Sequence, residues 1–357
     1  MPPSKSSFRQ QIGFGTARDG VKIAYAQSGR GPPLVRAGSW MTHVEWDWQT
    51  PVWGPYVESL SRHRHLVRYD PRGCGLSDRE VAGDLTLDAL VSDVECVVDA
   101  VGLDRFALMG SSQGGAVSVA YTARHPDRVT HLVLLDAFVR GTLVRQPSAQ
   151  SQVDAMCALV AAGWTQDNAA FRQMFTSQFF PAGSPEQVTA FNELQRKCTS
   201  AEHAVRLVRA FSALDARSSL ALVRCPTLVL HCRGDVRVPY EEGRLIAAGI
   251  PGARFEPLES GNHVPLQGVP AFERMIELID EFLPATGTTA PALGGLSARE
   301  RELLDLLARG LDNAQIAAHL GLAEKTVRNR VSALFDALGV ENRSQAIVRA
   351  RDAGFGH

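Results

Sequence analysis

The segment that most constrains the fold of this chain is FALMGSSQGGAVSVAYTARHP, residues 106–126. A short apolar run ends at small residues around Ser112, and a helical pattern begins immediately afterwards. Small residues permit a sharp turn from strand to helix, which strains the serine backbone and projects its hydroxyl above the sheet. The pattern predicts a nucleophile at Ser112 and an oxyanion donor at the Gln113 amide. A tight turn without chemistry is the alternative.

The residues around this turn predict an α/β domain. Short apolar runs alternate with helical patterns over residues 8–135, and strand-like runs resume at PTLVLHCRGD and ARFEPLES. Nearly continuous apolar strands between helices indicate a parallel sheet covered on both faces. Residues from about 137 to 217 contain helical patterns and no clear strand, which predicts a helical lid inserted between two strands.

A change in composition predicts two domains. The stretch PATGTTAPALGG is rich in Pro, Gly, Thr and Ala, as is typical of flexible linkers. We therefore expect an α/β domain over residues 1–284, a linker over 285–295, and a small all-α domain over 296–357.

Overall composition excludes several classes of protein. Apolar residues make up 45% of the chain and the net charge is −1, so charge alone indicates neither a nucleic-acid nor a membrane partner. The cysteines are scattered without a CxxC pair, which favours reduced thiols over disulfides or zinc. We find no signal-peptide pattern and no apolar run that could span a bilayer. The sequence predicts a cytoplasmic protein without membrane partner, metal or cofactor.

Two further residues complete a candidate catalytic triad. Asp235 follows the strand-like LVLHC, and His263 lies in a Gly/Asn loop before the last helix of the α/β domain. The order serine, acid, histidine is the one expected after a strand–turn–helix nucleophile. Asp136, at the end of HLVLLDA, is the alternative acid. Either Asp235 or His263 alone would be better interpreted as an ordinary loop residue. The order of Ser112, Asp235 and His263 along the chain argues against that interpretation.

These motifs resemble the α/β-hydrolase superfamily over residues 12–284, and YDPRGCGLSD matches its D-x-R-G-x-G-x-S loop. The resemblance implies an α/β-hydrolase fold. A second oxyanion donor is expected near Ser39 and Trp40, in the loop after PLVRAG. The family usually has His-Gly at this position, whereas this chain has Ala37-Gly38.

Aromatic residues are concentrated near that loop and in the predicted lid. We expect a pocket for an apolar or aromatic small molecule, although core packing is the simpler interpretation of any single residue. The candidate pocket residues are Trp40, His43, Trp46, Trp164 and Phe175.

The last 62 residues predict four helices with a helix-turn-helix arrangement. Asp312 and Gln315 form a capping box for the second helix, and Gly321 makes the turn to a third helix over about 324–338. One face of this third helix concentrates polar and cationic side chains that suit phosphates and base edges. A solvated helix face is the alternative. The candidate DNA-binding residues are Lys325, Thr326, Arg328, Asn329 and Arg330.

This segment resembles the DNA-binding domain of LuxR-type transcriptional regulators, through LSARERELL, ARGLDNAQIAAHLGL, TVRNRVSALFDALGV and NRSQAI. The resemblance implies that the third helix enters the major groove of operator DNA. It also implies that the fourth helix, about Arg343 to Ala353, pairs two copies into a homodimer. Ala323 replaces a frequent capping serine, and Arg328-Asn329-Arg330 replaces a more usual Lys-x-His.

Three hypotheses about function remain open. In the first, the protein is a regulator whose α/β domain only binds a small organic effector. In the second, Ser112 also hydrolyses an ester or lactone, and turnover is coupled to DNA binding. In the third, the chain is a metabolic hydrolase that its tail merely localises. A complete DNA-reading domain disfavours the third hypothesis.

Overall fold

The computed structural model describes residues 9–40, 42–283, 296, 298–338, 340 and 342–356. These residues form two compact units, and the boundary between the units follows Leu283. The predicted linker over 285–295 lies outside the described residues, as does Ser297.

A mostly parallel sheet organises the first unit and confirms the predicted α/β class. Eight strands are present among the described residues, in the order β1-β2-β4-β3-β5-β6-β7-β8. The β1–β2 and β2–β4 pairs are antiparallel, and every other pair is parallel. The strands are β1 (Gln10–Thr16), β2 (Lys22–Ser28), β3 (Pro33–Arg36), β4 (His65–Tyr69), β5 (Phe106–Ser111), β6 (Val129–Leu135), β7 (Thr227–Cys232) and β8 (Arg254–Leu258).

Helices cover both faces of this sheet. The central strands are buried on both sides because their side chains alternate between two hydrophobic clusters. In β5, Ala107 and Met109 contribute to one cluster, whereas Phe106 and Leu108 contribute to the other. The covering helices are α1 (Gly54–Ser61), α2 (Leu87–Val101), α3 (Gly114–Arg124), α9 (Tyr240–Gly249) and α10 (Pro270–Phe282).

A helical insertion separates β6 from β7, where the sequence predicts helices without strands. Side-chain caps fix the starts of its last two helices: Ser184 Oγ accepts from Gln187 N at 3.2 Å, and Ser200 Oγ accepts from His203 N at 3.1 Å. The insertion comprises α4 (Thr142–Arg145), α5 (Gln150–Gly163), α6 (Ala170–Phe179), α7 (Pro185–Cys198) and α8 (Ala201–Ala213), followed by a 3₁₀ turn over Arg217–Leu222.

The second unit contains the four predicted helices. Asp312 and Gln315 cap the second of them reciprocally, and Gly321 ends it with a left-handed φ of 64°. Leu304, Ile316 and Val327 meet in the core of the unit because each faces inward from a different helix. The helices are α11 (Ala298–Ala308), α12 (Asn313–Leu320), α13 (Glu324–Leu338) and α14 (Arg343–Asp352).

No helix among the described residues is both long and apolar enough to cross a membrane.

Candidate functional sites

Ser112 lies in a strained turn between β5 and α3. Its φ is 54°, in the left-handed region that disfavours non-glycine residues by roughly 1–3 kcal/mol. Hydrogen bonds on both sides hold this conformation: Ser112 N donates to Leu135 O at 3.2 Å, and Ser112 O accepts from Gly115 N at 3.0 Å. The side chain is half-buried, as expected for a hydroxyl at the edge of the sheet.

Glycines around Ser112 allow strand and helix to approach closely. A Cβ at Gly110 would lie 2.5 Å from Gly114 O, and one at Gly115 would lie 2.4 Å from the Cβ of Ala137. A Cβ at Gly114 would lie 3.3 Å from Gly38 O, so the loop after β3 packs against the first turn of α3. A larger residue at Gly110 or Gly115 would therefore displace the serine turn.

Asp235 and His263 form a buried hydrogen-bonded pair. Asp235 Oδ2 lies 2.7 Å from His263 Nδ1, while Oδ1 accepts from the backbone N of Arg237 and of Val238 at 2.8 and 3.0 Å. Burial alone would raise the pKa of Asp235, but the His263 charge and these hydrogen bonds outweigh it and lower the pKa. An ionised carboxylate at Nδ1 leaves His263 Nε2 to act as the proton acceptor.

The serine lies at the same edge of the sheet as this pair. Ser112, Asp235 and His263 follow β5, β7 and β8, and the carboxyl ends of these parallel strands meet at one edge. Within the described residues, no hydrogen bond joins the Ser112 hydroxyl to His263. Catalytic hydrogen bonds are often long in unliganded structures and shorten when substrate binds.

Asp136, the alternative acid, has a different set of partners. It also has a left-handed φ, of 46°, and its Oδ1 accepts from Cys232 N at 2.6 Å. Burial raises the pKa of Asp136, and the negative charge of Asp235 raises it further. The geometry therefore pairs His263 with Asp235, whereas Asp136 ties β6 to β7 through the backbone N of Cys232.

The described residues contain one cluster with metal-ligand chemistry. Oxygen and nitrogen atoms of Asp136, His231 and Asp235 all lie within 4.8 Å of one another. Asp235 is already bonded to His263, Asp136 accepts from Cys232 N, and His231 Nε2 lies 3.1 Å from Val238 O. Because each group is already engaged by the protein, the cluster does not fit a resident metal ion.

The predicted oxyanion donors are the backbone amides of Gln113, Ser39 and Trp40. Gln113 is the N-cap of α3, where the helix dipole favours negative charge. The amides of Gln113, Ser39 and Trp40 donate no hydrogen bond within the described part of the chain. Contact between Gly38 O and the Gly114 position brings the Ser39–Trp40 loop beside this helix start. Ala37, where the family usually has histidine, is held at the end of β3 because its N donates to Met109 O at 2.8 Å.

Four aromatic residues pack between the Ser39–Trp40 loop, the insertion and His263. Phe175 stacks on Trp40 with ring centroids 5.3 Å apart, and Trp164 meets Trp40 edge-on at 5.7 Å. Phe179 lies 6.0 Å from Phe175 and 5.3 Å from the His263 ring. We call Trp40, Trp164, Phe175 and Phe179 the aromatic cluster. The structure thus joins three of the predicted pocket residues and connects them to His263.

The other two predicted pocket residues have separate contacts. His43 is half-buried, and burial, with a contribution from the Arg79 charge, lowers its pKa. The ring of Trp46 lies under Lys197, whose Nζ is 5.5 Å from the ring centroid. Among the described ring contacts, neither residue touches the aromatic cluster.

Two residues of this region were not among the predicted site residues. Phe179 connects the aromatic cluster to His263, and its carbonyl accepts from His263 N at 2.7 Å. Arg237 places its guanidinium 5.6 Å from the Phe179 ring centroid. The aromatic-rich insertion was a signal for Phe179, but no local pattern identifies the contact of Arg237.

In the second unit, α13 presents cations to solvent. Val327 and Val331 are buried, so the opposite face of the helix points outward. Lys325, Thr326, Arg328 and Arg330 are exposed, and the Arg328 guanidinium lies 3.3 Å from Glu324 in an exposed pair. The side chain of Asn329 lies outside the described residues. This exposed face carries three cations, the kind of side chain that contacts DNA phosphates.

Two family models match the two units. Residues 46–267 match the alpha/beta hydrolase fold, and residues 295–350 match the bacterial regulatory proteins of the luxR family. Both expectations of the sequence analysis are thereby confirmed at the level of family.

Individual relatives match the first unit. RutD of Azorhizobium caulinodans, which is named for a carbamate hydrolase activity, is 26% identical over 59% of this chain and 78% of its own length. The AB hydrolase superfamily protein YisY of Bacillus subtilis is 28% identical over 68% of this chain and 89% of its own. The crystal structure of a hydrolase from Pseudomonas aeruginosa PA01 has a TM-score of 0.63 and 26% identity, and covers 78% of this chain and 99% of that one.

The left-handed backbone at Ser112 makes a testable prediction about stability. Ser112→Gly should raise the free energy of unfolding of the first unit by about 1 kcal/mol relative to Ser112→Ala, because glycine adopts this φ without strain. Urea unfolding followed by tryptophan fluorescence measures the difference, since all five tryptophans precede residue 165.

Ser111, the last residue of β5, is the matched control. Ser111→Gly should be less stable than Ser111→Ala, because glycine at an ordinary strand φ loses more backbone entropy on folding, by roughly 0.5–1 kcal/mol. A Ser112→Gly protein less stable than Ser112→Ala would contradict the strained turn.

Proposed function

Because the chain belongs to the alpha/beta hydrolase fold family and ends in a luxR-family DNA-binding domain, we propose that it is a transcriptional regulator that responds to a small molecule. Its first domain binds an apolar or aromatic effector. The observation that carries this proposal is the pairing of two sites in one polypeptide: the aromatic cluster beside the Asp235–His263 pair, and the cationic face of α13.

The aromatic cluster is the surface on which the effector packs. Trp40 and Phe175 supply flat faces, and Phe179 continues them to His263. Trp40 and Phe179 are buried, so an aromatic ligand in contact with them exchanges water for apolar surroundings. The helical insertion contributes three of the four aromatic residues and acts as the lid of this pocket.

The second domain reads operator DNA as a homodimer. Exposed cations on α13 contact phosphates and base edges in the major groove, and α14 pairs two copies. Val348, on α14, supports this pairing because it is an apolar residue with 59% exposure. Arg349 and Arg351 donate to the carbonyl oxygens of Leu338 and Ala308 within the same domain.

Effector occupancy changes operator affinity through the dimer. A bound ligand stabilises one arrangement of the two α/β domains over another, and each arrangement sets the spacing of the two reading helices. Because the coupling is reciprocal, operator DNA changes effector affinity by the same factor.

A second candidate function is hydrolysis of the signal molecule. The 2.7 Å contact between Asp235 and His263 and the strained φ of Ser112 favour it, because a passive pocket has no use for either feature. The Ser112 hydroxyl attacks an ester or lactone carbonyl as His263 accepts its proton, and the Gln113 amide with Ser39 or Trp40 binds the oxyanion. The ester C–O bond then breaks, and His263 gives the proton to the leaving alcohol. Water hydrolyses the acyl-serine, which releases the acid and restores Ser112, and turnover ends or generates the signal. A purely metabolic hydrolase would leave the DNA-reading domain without a role.

Covalent labelling distinguishes ligand binding from hydrolysis. A fluorescent fluorophosphonate should label the wild-type protein at Ser112, because an activated serine displaces fluoride from phosphorus. Ser112→Ala should abolish the label and Ser111→Ala should retain it, as observed by in-gel fluorescence. A folded wild-type protein that takes up no label would restrict the first domain to binding.

Substitutions on α13 test the DNA-reading role. Arg328→Ala and Arg330→Ala should each weaken binding to a selected operator duplex by about 1–3 kcal/mol and reduce sequence preference if the side chain contacts a base. Fluorescence anisotropy at fixed salt measures both affinities.

Arg309→Ala, which removes an exposed cation immediately after α11, is the control and should have a much smaller effect. Equal losses for Arg309→Ala and Arg328→Ala, or no loss for either α13 variant, would contradict the assignment of α13.

A further inference from the structure

Arg237 places a cation over the aromatic cluster. It lies two residues after Asp235, and its backbone N donates to Asp235 Oδ1 at 2.8 Å. Its guanidinium carbon is 5.6 Å from the Phe179 ring centroid and 5.9 Å from that of Phe175. The Arg237 side chain is half-buried. Its positive charge therefore lies, partly shielded from water, beside two of the rings that the effector contacts.

The structure shows no anionic partner for this cation in the part of the chain that it describes. Within the described residues, the Arg237 guanidinium makes neither an ion pair nor a hydrogen bond. Arg233, four residues earlier, shows the contrast: it stacks on Tyr240 and its Nε lies 2.8 Å from Glu259. Arg237 also contacts aromatic rings, but within the described residues no carboxylate pairs with its guanidinium.

Nearby charges add to the excess of positive charge. Burial, with a smaller contribution from the charge of Arg145, lowers the pKa of Arg237 to about 10. The carboxylates that act on these two arginines are engaged elsewhere: Asp235 with His263 at 2.7 Å, and Glu242 with Arg140 at 2.5 Å. An anion bound here would compensate charge that the protein leaves uncompensated.

A second donor in the cluster also lacks a partner. The Nε1 atom of Trp40 is buried, and no acceptor among the described residues takes its proton. Trp40 stacks on Phe175, which is one of the two rings beneath Arg237. A buried donor without a partner costs about 1–3 kcal/mol, which an acceptor atom of a ligand would offset.

We propose that the effector is a small aromatic carboxylate whose ring packs on the aromatic cluster and whose carboxylate pairs with Arg237. This inference rests on the proposed function, because it specifies the chemistry of the molecule that the first domain binds. A planar guanidinium recognises a carboxylate through two parallel hydrogen bonds and can remain stacked on aromatic rings while it does so.

Two isosteric probes test this charge preference. Phenylacetate and phenylacetamide have the same ring and shape, but only phenylacetate is an anion. By isothermal titration calorimetry, the wild-type protein should bind phenylacetate at least about tenfold more tightly, as expected for a charge-assisted pair. Arg237→Met should remove the preference for phenylacetate and retain phenylacetamide binding, which shows that the pocket is intact. Arg237→Lys, which keeps the positive charge, should retain part of the preference for phenylacetate.

Arg233→Met is the matched control and should leave the preference unchanged. Equal affinity of the wild type for both probes, no binding of either, or an unchanged preference in Arg237→Met would overturn the proposal. Operator binding by the same protein preparations should also be measured by fluorescence anisotropy. A protein that binds operator DNA but shows no preference for phenylacetate refutes only the carboxylate effector and leaves the regulatory function standing.

Discussion

The first domain depends on the left-handed turn at Ser112. A serine with φ of 54° persists only where its surroundings hold it, and here glycines on both sides let α3 pack directly against the end of β5. The same turn sets the start of α3, and with it the position of the Gln113 amide. The parallel strands β7 and β8 end at the same edge of the sheet, so Asp235 and His263, which follow them, lie at the edge where Ser112 also lies.

Electrostatics divides the roles of the two acids at that edge. The charge of His263 and hydrogen bonds from two backbone amides lower the pKa of Asp235, whereas burial and the negative charge of Asp235 raise the pKa of Asp136. One carboxylate beside the imidazole is sufficient to orient it, and a second negative charge at this buried site would be unfavourable. Packing assigns the two roles, because Asp235 contacts His263 Nδ1 and Asp136 accepts from Cys232 N.

Much of this arrangement was predictable from sequence, because it depends on local patterns. The small residues around Ser112, the order of Asp235 and His263, and the Asp312–Gln315 capping box each leave a signature within a few residues. Asp235 was the predicted acid and Asp136 the alternative; both follow buried strands, so only packing could decide between them. The contact of Arg237 with Phe175 and Phe179 was not predictable, because about sixty residues separate them in the sequence and no local pattern relates them.

The central claim is that occupancy of the first domain controls DNA binding by the second. The most direct test measures the dissociation constant of the full-length protein for its selected operator. The measurement is made before and after the fluorophosphonate has fully modified Ser112. Ser112→Ala, treated with the same reagent, is the control. The account predicts a shift of several-fold in the modified wild type and none in Ser112→Ala. An unchanged dissociation constant for fully modified protein would contradict it.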